Sequence, residues 1–154
     1  MFSVSLSYKQ DPDTVFRFLT DPANVKARCE AMGERDVAVT NQDDTVTCVR
    51  VVEASVPSFA KKLLKPTNTV TDVKRWSRAS RKATFSVDIK GVPVTIEGAI
   101  ELAPSGSGAT CSVTGTVTCR IPLIGGTLAK HVAALTEQGL RKEWEWNQQA
   151  LDRA

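Results

Sequence analysis

The chain opens on a strict alternation of apolar and polar residues. Phe2, Val4, Leu6 and Tyr8 fall on one face of an extended segment with serines between them, which predicts a half-buried strand over Phe2–Lys9. The period then changes. Asp11 precedes Pro12, a capping residue followed by one suited to the first helical position, and Val15, Phe16 and Leu19 make a helical stripe. The same device recurs at Asp21-Pro22, with Val25, Cys29 and Met32 as a second short stripe and Gly33 to end it. Because a proline disfavours helix at the residue before it, the two helices bend sharply at Asp21.

From Glu34 to Arg120 the pattern is nearly all strand. Val37 and Val39 lead into a polar turn at 41–44, and Val46–Val52 returns from it. Val56–Phe59 with Lys61–Lys65 is an apolar-then-basic connection that can hold a helical turn. Thr67–Ser80 and Arg81–Lys90 are further strands, the second with Phe85, Val87 and Ile89 alternating. Lys90-Gly91 turns into the Val92–Leu102 strand, and Pro104–Gly108 reads as a flexible hairpin loop. The last strand is Ala109–Arg120. About seven strands joined by short turns predict an antiparallel meander, and strands of this length must twist and curl.

Pro122-Leu-Ile-Gly-Gly126 breaks that last strand, and the stretch from Thr127 to about Leu151 has no proline. It predicts a helix of roughly 37 Å, long enough to cover the concave face of the sheet. On a helical wheel, Leu128, Val132, Leu135 and Trp146 fall at one border of the apolar arc, and Ala133, Leu140, Trp144 and Leu151 at the other. Lys130, Arg141, Glu145, Gln148 and Asp152 lie opposite, facing water. The centre of the arc is polar or empty: Thr136, Gly139, Glu143 and Asn147 line it. An ionised Glu143 in a dry core would cost several kcal/mol unless paired, so a cavity holding water or ligand suits this line better than close packing. Glu143 has three readings at this point. It pairs with an inward arginine (Arg75 or Arg78), it lines the cavity, or it serves as a catalytic acid–base group, a role that burial favours. Tyr8 or Asp88 would assist such chemistry only from an inward face.

Composition adds limits. At 154 residues the chain is sized for one domain, here 1–154. No apolar run approaches a membrane span, and the N-terminus reads as a strand rather than a signal peptide. Cys29, Cys48, Cys111 and Cys119 lack zinc spacing and read as reduced, mostly buried thiols of a cytoplasmic protein, with no metal site expected. The single His131 sits on the polar border of the wheel and reads as a surface residue; no G-x-S-x-G or phosphate-cradling loop is present. The net charge is +3, yet Lys61–Lys82 holds eight basic residues against Asp72 alone, an excess of seven that leaves −4 elsewhere. That asymmetry reads as a solvated rim, or as a surface for an anionic membrane or an acidic protein through Lys61, Lys62 and Lys65. Nucleic acid is not expected, since no recognised motif accompanies the charge.

The order of elements resembles the START-like superfamily of polyketide cyclases and lipid-transport proteins (SRPBCC). The resemblance rests on the Val4–Tyr8 strand, the Asp11–Phe16 helix start, the Leu19–Pro22 junction, and Gly125-Gly126 before the last helix. The Ile121–Gly126 segment further resembles an uncharacterised branch with no assigned function. The resemblance implies an α+β helix-grip fold: a curved antiparallel sheet wrapped around a long C-terminal helix, with two short helices after the first strand. It also implies non-catalytic binding or carriage of a hydrophobic or amphipathic, lipid-like molecule in an internal cavity. The expected lining is Leu128, Val132, Leu135, Thr136, Gly139, Leu140, Glu143 and Asn147 from the helix, with Trp76 and Phe85 from the sheet. No cofactor is expected. The alternatives are a cyclase or dehydratase using Glu143, and a regulator of a partner protein acting through the basic 61–82 segment.

Overall fold

The computed structural model describes residues 1–53, 56–62 and 64–154; Leu63, in the predicted apolar-then-basic connection, lies outside them. Strand β1 (Phe2–Tyr8) is followed by helices α1 (Pro12–Thr20) and α2 (Pro22–Ala31). Six strands follow: β2 (Arg35–Gln42), β3 (Thr45–Glu53), β4 (Thr67–Ser77), β5 (Lys82–Ile89), β6 (Val94–Ser105) and β7 (Gly108–Cys119). Helix α3 (Gly125–Arg153) ends the chain, and one 3-10 turn, Ser58–Ala60, stands between β3 and β4.

The two Asp-Pro starts behave as their chemistry requires. Asp11 accepts from the Thr14 amide at 3.2 Å and Asp21 from the Ala23 amide at 2.9 Å, each satisfying an N–H that has no partner within its helix. The β2–β3 turn is only Asp43 and Asp44, both at positive φ, closed by the Gln42–Thr45 pair. The Asn41 side chain accepts the Asp44 amide at 3.0 Å and fixes it. The predicted Pro104–Gly108 loop is tighter than expected. Pro104 and Ser105 pair with Ala109 and Gly108, so the turn is Gly106-Ser107, with Gly106 at φ 58° supplying the left-handed corner.

All seven strands form one antiparallel sheet in the order β1-β7-β6-β5-β4-β3-β2. Only β1 is out of sequence, joining the last strand rather than the second. Two edges remain, at β1 and β2, and a helix bonds to each side. The Trp144 indole donates to the Ser7 carbonyl at 2.8 Å, and the Lys9 amide donates to Gln148 at 3.0 Å. On the far side, Asn41 of β2 donates to the Thr20 carbonyl at the end of α1. On the β1 side these bonds occupy backbone groups that an open edge would offer to another chain, whereas on the β2 side only the Asn41 side chain is engaged. They also correct the wheel: Gln148 is not in water but holds the end of α3 against the end of β1.

Candidate functional site

Strand parity decides what the concave face presents. On β3 the inward series is Val46, Cys48, Arg50 and Val52, and on β4 it is Val70, Asp72, Lys74 and Trp76. On β6 and β7 the inward series are apolar, except that Gly98 and Gly115 oppose each other. Phe85 lies beside Gly98 in register and Phe2 beside Gly115, and each ring occupies the space over its glycine, with Cζ 2.7 and 2.5 Å from where a Cβ would stand. Helix α3 crosses above. Between them is a chamber of about 340 Å³, with a side recess of about 60 Å³ toward α2.

Helix α3 places its predicted residues in three zones. Thr136, Gly139, Leu140 and Glu143 line the chamber, with Phe85 opposite; Leu140 and Glu143 also border the recess. Val132 and Leu135 line the chamber and a separate apolar pocket of about 80 Å³ under the 56–68 segment. Leu128 faces only that pocket and is fully buried. Trp76 and Asn147 border the recess: Trp76 packs edge-on against Phe16 with ring centroids 5.4 Å apart, and Asn147 donates to the Tyr8 hydroxyl at 3.2 Å. Thr136 donates its hydroxyl to the Val132 carbonyl, so that donor is spent within the helix. Tyr8 is inward and Asp88 is exposed.

The counter-ion of Glu143 is not one of the two arginines expected. Arg75 and Arg78 are exposed, and Arg78 forms a two-point pair with Asp44 while lying over the Phe16 ring. Arg28 of α2 faces Glu143 instead, Nη2 to Oε1 3.8 Å, with side-chain exposures of 9% and 27%. Burial disfavours the Arg28 charge most, but Glu143 together with Cys29 and Asp72 outweighs it and the guanidinium is held above its ordinary value.

Arg28 belongs to a larger set of buried charges. Lys74 meets Asp72 at 2.9 Å, Arg50 Nη1 lies 4.0 Å from Asp72, and Arg50 Nε lies 3.1 Å from Glu34 without hydrogen-bond alignment. Three cations and three carboxylates thus share one side of the chamber and recess. Nε of Arg28 and of Arg50 are buried without a hydrogen-bond acceptor among the described residues. Lys74 therefore leaves the basic rim it was counted in and joins the interior. Strand parity held the signal, since Arg50, Asp72 and Lys74 share phase with Val46, Val70 and Trp76. Arg28 had no comparable marker.

His131 is also displaced from expectation. It is half-buried against the 56–68 segment, and its Nε2 has no partner among the described residues. No group of three or more His, Cys, Asp or Glu side chains is placed to hold a metal among the described residues. A concavity of about 530 Å³ on the outer sheet face is lined by Arg75, Lys82, Thr84 and Thr114 and lies open to solvent, where it offers little desolvation to a ligand. No helix among the described residues is long and apolar enough to cross a membrane.

A curled seven-stranded sheet closed over a C-terminal helix, with a chamber between them, is a START-like helix-grip fold. Solved structures share the fold. The ZhuI aromatase/cyclase of Streptomyces sp. R1128 aligns at TM-score 0.73 and 12% identity over 99% of this chain and 93% of its own. The Thermus thermophilus protein TTHA0849 aligns at 0.71 and 17% identity over 96% and 93%. The di-domain aromatase/cyclase StfQ of the steffimycin pathway aligns at 0.63 and 12% identity over 99% of this chain and 45% of its own. The chain belongs to the family described as protein of unknown function DUF2505, whose profile matches residues 3–151. No curated protein matches it by sequence.

Proposed function

We propose that residues 1–154 act as one domain that binds a small amphipathic molecule in the chamber and carries it without chemical change. The observation that carries this reading is the chamber itself. Its volume of about 340 Å³ falls in the range of roughly 300–1,000 Å³ typical of small-molecule sites, with apolar walls and charge gathered on one side. An apolar body fits against Phe85, Ile100, Val113 and Leu140, and a polar acceptor meets the spare Nε–H of Arg28 or Arg50. The Arg28 ion pair favours an orienting role for Glu143 over proton transfer. ZhuI and StfQ, named as aromatase/cyclases, are built on the same fold.

Loading at an anionic membrane surface belongs to the same proposal. The segment bearing Phe59, Lys61, Lys62 and Lys65 and the turn bearing Leu123 leave the sheet at one end, since Glu53 pairs with Thr67 and Val94 with Cys119.

The test is titration with 1-anilinonaphthalene-8-sulfonate, an aromatic anion whose emission rises in apolar surroundings. Saturable binding of one probe per chain is expected. It should be lost in Gly139→Phe, which fills the chamber from a helix position with nothing within 4 Å of an added Cβ. Arg28→Met should weaken it by about tenfold, the loss of one charge-assisted hydrogen bond of about 1.4 kcal/mol. Unchanged binding in a folded Gly139→Phe protein would place the probe elsewhere and sink the proposal.

A further inference from the structure

The four cysteines were expected to be reduced and mostly buried. Cys29 and Cys48 are both free and buried, and they also meet. Cys29 of α2 and Cys48 of β3 bring their sulfurs to 3.9 Å, although 19 residues separate them in sequence. Both are buried, at 1% and 4% exposure, but Cys48 lines the recess that adjoins the chamber. A disulfide needs sulfurs about 2.05 Å apart. The remaining gap of about 1.9 Å joins one helix to one strand, and modest side-chain rotation with a small shift of α2 closes it.

The surroundings favour thiolate chemistry. Arg28 Nη2 lies 3.9 Å from the Cys29 sulfur, and Arg50 is two residues from Cys48 on the same strand face. Facing the pair from other elements are Asp72 of β4, Glu34 beyond α2 and Glu143 of α3, all three already engaged with Arg50, Lys74 or Arg28. The Cys29–Cys48 hydrogen bond pulls Cys48 down to about 6, with burial opposing and Arg50 assisting, while the same bond and burial push Cys29 up. One proton therefore leaves the pair readily and the other is held. An attacking thiolate beside a protonated thiol is the arrangement that dithiol oxidation uses.

We infer that Cys29 and Cys48 form a dithiol site that hydrogen peroxide, entering through the chamber recess, oxidises to a disulfide. The Cys48 thiolate attacks one peroxide oxygen, the O–O bond breaks, and Cys48 becomes a sulfenic acid as hydroxide leaves. The Cys29 sulfur then attacks the sulfenic sulfur. The new S–S bond forms as the S–O bond breaks, and the Cys29 proton leaves with the departing oxygen as water. Overall, two thiols lose two electrons and two protons, and one peroxide becomes two waters. The product ties α2, which carries Arg28, to the sheet wall.

The experiment uses the reduced full chain treated with hydrogen peroxide, then denatured and blocked with N-ethylmaleimide. Intact mass should show two of the four thiols lost with two hydrogens, and peptide mapping should recover a Cys29–Cys48 link. The oxidised form should melt roughly 5–10 °C higher, because a loop of this length is closed in the unfolded chain. Cys29→Ser should instead hold Cys48 as a sulfenic acid that a dimedone probe traps. Four thiols remaining free after treatment, or a link from Cys48 to Cys111 across the recess, would overturn the assignment. Mapping of the wild-type protein decides it even where a serine variant fails to fold. Probe binding in the chamber is measured separately, so loss of either result leaves the other standing.

Discussion

Asp72 shows how one residue holds the charged side of the chamber together. It is buried against Lys74 at 2.9 Å and Arg50 at 4.0 Å. Burial alone pushes its carboxyl up, but Lys74 and Arg50 together outweigh that and hold it below its ordinary value. A depressed carboxylate contributes stability above its unfolded value, near about 3.9, and that contribution is lost as pH falls through the lower folded value. Asp72→Asn should therefore cost about 3–5 kcal/mol in urea unfolding at pH 7, because two buried cations lose their shared partner. The gap from wild type should narrow as pH falls from about 4 through the lower folded value, where the wild-type carboxyl becomes protonated too. A constant gap across that range would mean that packing, not charge, carries the effect. The sequence held half of this cluster. Strand parity put Arg50, Asp72 and Lys74 in phase with valines, yet a charged residue in a strand reads first as solvent-facing. The cluster arises only when register sets Cys48 beside Asp72 and Val46 beside Lys74, which local pattern does not specify.

Two glycines make opposite predictions at the scale of elements. Gly139 stands mid-helix in α3, where glycine is about 1 kcal/mol less favourable than alanine, and an added Cβ would meet nothing within 4 Å. Gly139→Ala should raise stability by about 0.5–1 kcal/mol in thermal or urea unfolding. Gly98, in β6, opposes Gly115 across the sheet, and its Cβ would strike the Thr114 carbonyl, with Phe85 Cζ at 2.7 Å and Gly115 Cα at 2.8 Å. Two of those neighbours are backbone and cannot yield cheaply. Gly98→Ala should cost about 1–3 kcal/mol or more and disturb the Phe85 wall of the chamber; a neutral result would show that the two strands slide apart without penalty. The helix wheel located Gly139, because α3 follows a single regular period. It missed the ring-covered Gly98–Gly115 pair, since a glycine in a strand gains its meaning from the strand beside it. The two Asp-Pro helix starts were legible for the converse reason: cap and proline act within a few residues of chain.

The whole molecule has a distinct end where the strand order, the loops and α3 combine. The β3–β4 segment, the β5–β6 turn and the β7–α3 turn all leave the sheet there. Lys61, Lys62, Lys65, Lys90 and Arg120 are exposed at that end, beside Phe59 at 46% exposure and a fully exposed Leu123. Leu123 also has φ 72°, a left-handed conformation that is strained for a leucine and holds its side chain outward. Element order and basic composition were legible along the chain, but their gathering at one end follows from the closed meander and needed three dimensions. Anionic lipid suits both features, drawing the lysines while the apolar tips enter the headgroup layer. The chain should sediment with vesicles containing about one-third phosphatidylglycerol and much less with pure phosphatidylcholine. Reversing Lys61, Lys62 and Lys65 to Glu should abolish the difference, since each basic residue near such a surface contributes about 1 kcal/mol. Leu123→Ser should weaken binding at high salt more than at low salt, because salt screens charge and leaves insertion untouched. Equal binding to both vesicle types would remove the electrostatic part of this reading, and no binding to either would overturn the membrane-loading proposal.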